Sequence, residues 1–149
     1  MAGAQVLAAV ATPATARSAS IALTFDDLPA LSTVDDQASV DYTTEALLRG
    51  LQRHHIPATG FVNETKLDQA ERNRQIANLD KWLQAGMDLG NHTYSHEAAS
   101  ASGAAEFIAD IERGERVTGW LLARHGRHIR WFRHPYLDTG SPAPVRCTG

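Results

Sequence analysis

The sequence predicts an α/β fold built around a parallel sheet, and three observations carry that reading. Short, β-prone apolar runs alternate with stretches of helical period, the pattern of strand–helix units that lie parallel. The runs are greasy throughout rather than alternating, as strands covered on both faces are. Three polar strings, T-F-D-D-L-P at 24–29, N-H-T-Y-S-H at 91–96 and R-H-P-Y at 133–136, each come directly after such a run. In parallel α/β folds, sites gather at the carboxyl ends of strands. Periodicity places the three strings on one rim but does not separate a closed barrel from an open sheet.

The first nineteen residues are Ala-rich. Val6 to Val10, followed by Ala14-Thr15-Ala16, resembles the end of a secretory signal, although Arg17 is the first basic residue. We set 1–19 aside as a leader or signal remnant. That reading implies a secreted, periplasmic or cell-envelope protein, and a cytoplasmic one if the leader is no signal. The domain then runs from 20 to 149. Ser20 to Phe25 reads as a strand that ends at Asp26-Asp27, and Pro29 stops it.

From Asp36 to His54, the positions Val40, Leu47, Leu48 and Leu51 follow a helical period, with Asp35 or Asp36 as N-cap. Ile56-Pro57 ends that helix. Ala58 to Asn63 is a second strand, Leu67 to Ala85 a second helix closed by Gly86, and Met87 to Asn91 a third strand. A third helix spans Gly103 to Arg124, weakened by Gly114 and Gly119. His128 to Arg133 is a fourth strand, so about four parallel strands alternate with helices.

At 149 residues the chain suits one domain. A formal charge of −3 and pI near 6.1 exclude a basic nucleic-acid face. No apolar run is long enough to span a membrane. The single cysteine, Cys147, reads as a free thiol.

At the end of a strand the backbone turns, so adjacent carboxylates can enter one cavity from different directions. One of Asp26 and Asp27 can then bind a cation while the other faces its water. His92 and His96 are spaced to grip one ion. Two neutral imidazoles and a carboxylate form a facial set with open positions. Arg133 offers a planar fork that would hold Asp26 ionised, as a general base must be. Pro135 fixes a turn, and the Tyr136 backbone N–H is placed for an oxyanion, its ring for packing. His54 and His55 sit at a helix end, where a cation suits the dipole, His125 and His128 read as solvated, and His134 has no assigned task.

These residues resemble the polysaccharide deacetylases of the NodB-homology type, carbohydrate esterase family 4. That family carries T-F-D-D-G-P, H-[S/T]-x-x-H and R-x-P-[Y/F/W] in the same order. The likeness runs from about Ile21 to Tyr136. It implies the N-terminal part of a distorted (β/α) barrel, with Asp26 as catalytic base and Asp27, His92 and His96 as ligands of a divalent metal. Zinc is the usual ion, with cobalt or another divalent ion as alternatives. Arg133 would tether the base, Tyr136 donate to the oxyanion, and Thr93 and Ser95 shape the loop. The partner would be an N-acetylated glycan, chitin- or peptidoglycan-like.

Two departures stand out. Leu28 replaces the family's Gly, an expected change in the turn and groove wall. The family's last two motifs are missing: Leu137 to Gly149 contains no histidine to act as general acid. The expectation is a C-terminally truncated deacetylase with impaired turnover. The alternatives are a non-catalytic glycan- or metal-binding fragment, and a related hydrolase of non-peptide C–N bonds in small amides.

Overall fold

In the computed structural model, three parallel strands lie side by side: β1 (Leu23–Leu28), β2 (Ala58–Val62) and β3 (Asp88–Asn91), in that order across the sheet. The structure describes residues 20–30, 36–68 and 71–140. The leader, Asp35 and Cys147 lie outside them. Between the strands come α1 (Gln37–Arg53), a 3-10 turn (Glu64–Asp68) and α2 (Arg72–Gln84). After β3 follow α3 (Ala104–Arg113), α4 (Arg116–Arg124) and a 3-10 turn at Pro135–Leu137. All four residues of β3 are buried, as a parallel strand between helices should be. Among the described residues, no helix is long and apolar enough to cross a membrane.

One apolar cluster holds these layers together. The strands contribute Leu28, Val62 and Leu89, α1 contributes Leu48 and Leu51, α2 Leu79, Trp82 and Leu83, and α4 Leu121 and Leu122. Each such leucine gains about 1.5–3 kcal/mol by leaving water. Leu28 is fully buried. It fills the space left by Gly60, where an added Cβ would stand 2.0 Å from Leu28 Cδ1. Leu28 is therefore core, not the groove wall its place in the first motif suggested.

Capping sets the helix boundaries. Asp36 caps α1 by accepting the Ser39 N–H at 2.9 Å. The expected helix from Leu67 instead opens as the 3-10 turn, and α2 starts at Arg72 after a left-handed Glu71 (φ 64°). The expected helix from 103 to 124 is two helices. It breaks at Gly114, where a Cβ would lie 2.6 Å from the Thr93 carbonyl carbon, so the loop after β3 occupies the space a side chain would need. The chain re-enters a helix at Arg116 because buried Glu64 accepts the Val117 and Thr118 N–H groups at 2.9 and 2.7 Å. A carboxylate there satisfies open donors and suits the helix dipole.

The expected fourth strand is reduced to one parallel bridge between Asn91 and Phe132. Asn91 donates its N–H to Trp131 O at 2.9 Å and accepts from Arg133 N–H at 3.0 Å. In this register Ile129 to Trp131 would face Asp88 to Gly90, but they form no further ladder with β3. The preceding segment is tied by side chains instead: Arg127, Arg130 and the Trp131 indole all reach Asp88.

Candidate metal centre and active site

The two aspartates lie inside β1, not beyond it. Phe25 pairs with Gly60 but Leu28 pairs with Val62, so β1 carries one extra residue across this stretch, a β-bulge. Asp27 takes the left-handed conformation there (φ 65°). The bulge is what lets neighbours in one strand serve one rim, since regular pleating would send them to opposite faces.

Asp27, His92 and His96 each offer a ligand atom, and those atoms lie within 4.8 Å of one another. The His96 Nε2 to Asp27 Oδ1 distance is 3.4 Å, and donors sharing a tetrahedral zinc stand roughly 3.4 Å apart. His92 Nδ1 is 2.8 Å from the Arg133 carbonyl oxygen. A carbonyl only accepts, so Nδ1 carries the proton and Nε2 keeps its lone pair for a cation. Burial of His92 pushes its pKa below the ordinary 6.5; the Arg133 carbonyl opposes this and the neighbouring His96 adds to it. The ring is therefore neutral at neutral pH, as a ligand must be. Two imidazoles and one carboxylate without a thiol fit a divalent cation such as zinc.

The histidine loop is held from inside and outside. Thr93 and His96 are both left-handed, with φ of 64° and 62°, and Thr93 Oγ1 accepts the His96 N–H at 3.1 Å. Buried Asn91 accepts the Thr93 N–H at 2.7 Å and donates to Ile111 O at 2.9 Å. Asp110 on α3 accepts both the N–H and the hydroxyl of Ser95, at 3.1 and 2.9 Å. Asn91 and Asp110 escape a sequence reading. An asparagine closing an apolar strand is a weak signal for the first, and the second has none.

Asp26 stands beside this set, held by Arg133. Arg133 Nη1 is 2.7 Å from Asp26 Oδ1 and 3.0 Å from Thr24 Oγ1. The contact is one shared nitrogen rather than the two-pronged fork expected. The guanidinium lies 4.3 Å over the Phe61 ring, which fixes its plane. Arg133 thus binds Asp26 through its side chain and orients His92 through its backbone. Tyr136 is left-handed (φ 57°). The residue is 72% exposed and its ring meets the His96 ring at 4.7 Å between centroids, so it covers a histidine and does not pack in the core.

Lys66 carries no signal of a role in the sequence. Its Nζ donates to the Asp27 carbonyl at 2.9 Å. Of the remaining histidines, His54, His55 and His128 are exposed. His125 is not free: it pairs with Asp80 at 2.8 Å. His134 stacks on Phe107 at 5.5 Å, a packing role.

The sequence profile of the family described as polysaccharide deacetylase matches residues 14–143. The chain belongs to the polysaccharide deacetylase family. Solved structures agree with that membership. A family 4 carbohydrate esterase from Streptomyces lividans, in complex with acetate, is 26% identical with a TM-score of 0.60, over 80% of this chain and 53% of its own. A peptidoglycan N-acetylglucosamine deacetylase is 25% identical with a TM-score of 0.61, over 78% of this chain and 46% of its own. A family 4 pseudoenzyme from Bacillus anthracis, 19% identical over 78% of this chain and 35% of its own with a TM-score of 0.58, shares the fold. This deacetylase-family chain thus spans about half or less of the length of those structures. No curated protein matches it.

Proposed function

We propose that this chain carries the metal-binding and base-bearing part of a glycan N-deacetylase that acts on chitin- or peptidoglycan-like polymers. One observation carries the reading: Asp27, His92 and His96 converge while Asp26, one residue away, is kept out of that set by Arg133. A binding module has no need of a tethered spare carboxylate; a hydrolase does.

A divalent cation bound by Asp27, His92 and His96 would acidify water and polarise the acetamide carbonyl. Arg133 holds Asp26 beside it by a hydrogen bond, so Asp26 Oδ is placed to accept the proton of the attacking water. The Tyr136 backbone N–H, on a turn fixed by Pro135, donates to the oxygen that gains negative charge. The proton taken by Asp26 is then available to the leaving amine.

The test uses the full chain with zinc, N-acetylated chito-oligosaccharides and peptidoglycan fragments. Slow, zinc-dependent acetate release, abolished by Asp26→Asn, supports the proposal. Tight zinc binding with no acetate released from either glycan favours the non-catalytic reading. Release from small acetamides alone favours the small-amide reading.

A further inference from the structure

Each aspartate of the β1 bulge has its own cation. Asp26 has Arg133. Asp27 has Lys66, whose Nζ lies 2.9 Å from the Asp27 carbonyl oxygen and 3.6 Å from its Oδ1. The two contacts differ in kind: the first is a hydrogen bond, the second is too long for one and acts through charge alone. The bonded atom belongs to a non-glycine residue in the left-handed region, a conformation that persists only where its surroundings over-determine it.

We infer that Lys66 is a positioning residue of the metal centre: by fixing the Asp27 peptide in the left-handed bulge, it aims Asp27, and not Asp26, at His92 and His96. This rests on the proposed ligand set. The base of the lysine is itself anchored. Thr65 N–H donates to Tyr94 O at 3.0 Å, which ties the 3-10 turn to the histidine loop, and Lys66 N–H donates to Asn63 O at 3.2 Å. Glu64, in the same turn, is pinned on α4. Lys66 therefore links the strand that carries the aspartates to the turn that touches the histidine loop.

An ammonium near a cation site also repels the cation. That effect is the smaller one here, because the Lys66 side chain keeps 26% of its exposure and water screens its charge. The hydrogen bond to the Asp27 carbonyl is not diluted in that way.

The experiment measures zinc affinity by competition with a chromophoric chelator, and amide exchange across residues 23–28 in metal-free protein. Lys66→Met should weaken zinc binding roughly tenfold or more and speed exchange in that peptide, while the melting midpoint moves by no more than about 3 °C. Lys66→Arg, which keeps a charged donor, should recover most of both. In an Asp27→Asn background, Lys66→Met should still speed exchange across residues 23–28, because the lysine bonds the Asp27 backbone carbonyl and not its side chain. Unchanged or tighter zinc binding by Lys66→Met overturns the inference, as does unchanged exchange. A wild-type chain that binds no zinc sinks the ligand reading, yet the exchange measurement still decides whether Lys66 holds the bulge.

Discussion

Asp88 and Asp26 sit at opposite ends of one sheet, and both meet an arginine. Asp88, at the start of β3, is 9% exposed in its side chain and receives Arg127 at 2.8 Å and Arg130 at 2.6 Å. The Trp131 indole and the Leu89 N–H add bonds at 3.1 and 3.0 Å. Burial raises its pKa, but the Arg130 hydrogen bond and the Arg127 charge outweigh it, and the net shift is below 3.8. Asp26 is 40% exposed and receives one arginine nitrogen. The backbones differ as well. Of the seven non-glycine residues with positive φ among those described, Asp27, Thr93, His96, Tyr136 and Leu137 lie at the Asp26 end, while His55 stands on the loop before β2. An arginine partner therefore does not distinguish the proposed base from a structural carboxylate. Unused acceptor capacity, access to solvent and a strained backbone do.

The largest expected effect sharpens that contrast within β1 itself. Asp26→Asn should lower acetate release by about 10²–10⁴-fold and leave zinc affinity near wild type. Asp27→Asn should lose zinc as well as activity, since an amide is a poor ligand. Isothermal titration with zinc, alongside an acetate assay, separates the two. If both variants lose zinc equally, the aspartates share the ion and the division of labour drawn here is wrong.

The three motifs were legible because each is local: a greasy strand, then polar residues on the loop or bulge that follows it. What the sequence hid was long-range. Lys66 and Glu64 act on partners 39 and 53 residues away, and nothing in their neighbourhood announces it. Leu28 was read as a groove residue because Gly60, which makes room for it, lies far along the chain. The β-prone run at 128–133 reads as a strand, yet it meets β3 at one bridge and is otherwise tied through side chains to Asp88. Gly114 was noticed as a weak point in a helix, but its cause is the Thr93 backbone.

That glycine supplies the second prediction. Gly114→Ala puts a methyl group against backbone that cannot yield as a side chain would, at a cost of about 1–3 kcal/mol. Because the displaced atoms belong to the histidine loop, zinc affinity should fall together with the melting temperature. Gly50→Ala is the control: nothing lies within 4 Å of the added Cβ in α1, so it should stabilise by about 0.5–1 kcal/mol. A Gly114→Ala protein that melts early yet binds zinc normally would show that the loop is held elsewhere, by Asn91 and Asp110.

The saturated end of the sheet should respond through its charge. Asp88→Asn keeps the shape but removes the charge facing two arginines. Breaking a buried pair costs about 3–5 kcal/mol. Here the arginine side chains are 31% and 53% exposed, so solvent screening reduces the loss to about 2 kcal/mol. Its pH dependence identifies it. Asp88 has a folded pKa below its ordinary 3.8, so the folded state binds fewer protons than the unfolded one. Its contribution is complete above about pH 4 and is lost as pH falls through the lowered folded value. His92 is also depressed, below 6.5, so its contribution is complete above that value and declines at higher pH than that of Asp88. Urea midpoints measured from pH 2 to 7 in metal-free protein should therefore bend twice in the wild type. Asp88→Asn should keep the His92 bend and shrink the acidic one, to which Asp36, Asp41, Glu45, Asp68, Asp80 and Asp138 also contribute through lowered pKa values, so the two curves converge below about pH 4. A gap that stays constant to pH 2 would mean that Asp88 contributes through its hydrogen-bonding shape and not through its charge, and the contrast with Asp26 would then rest on exposure alone.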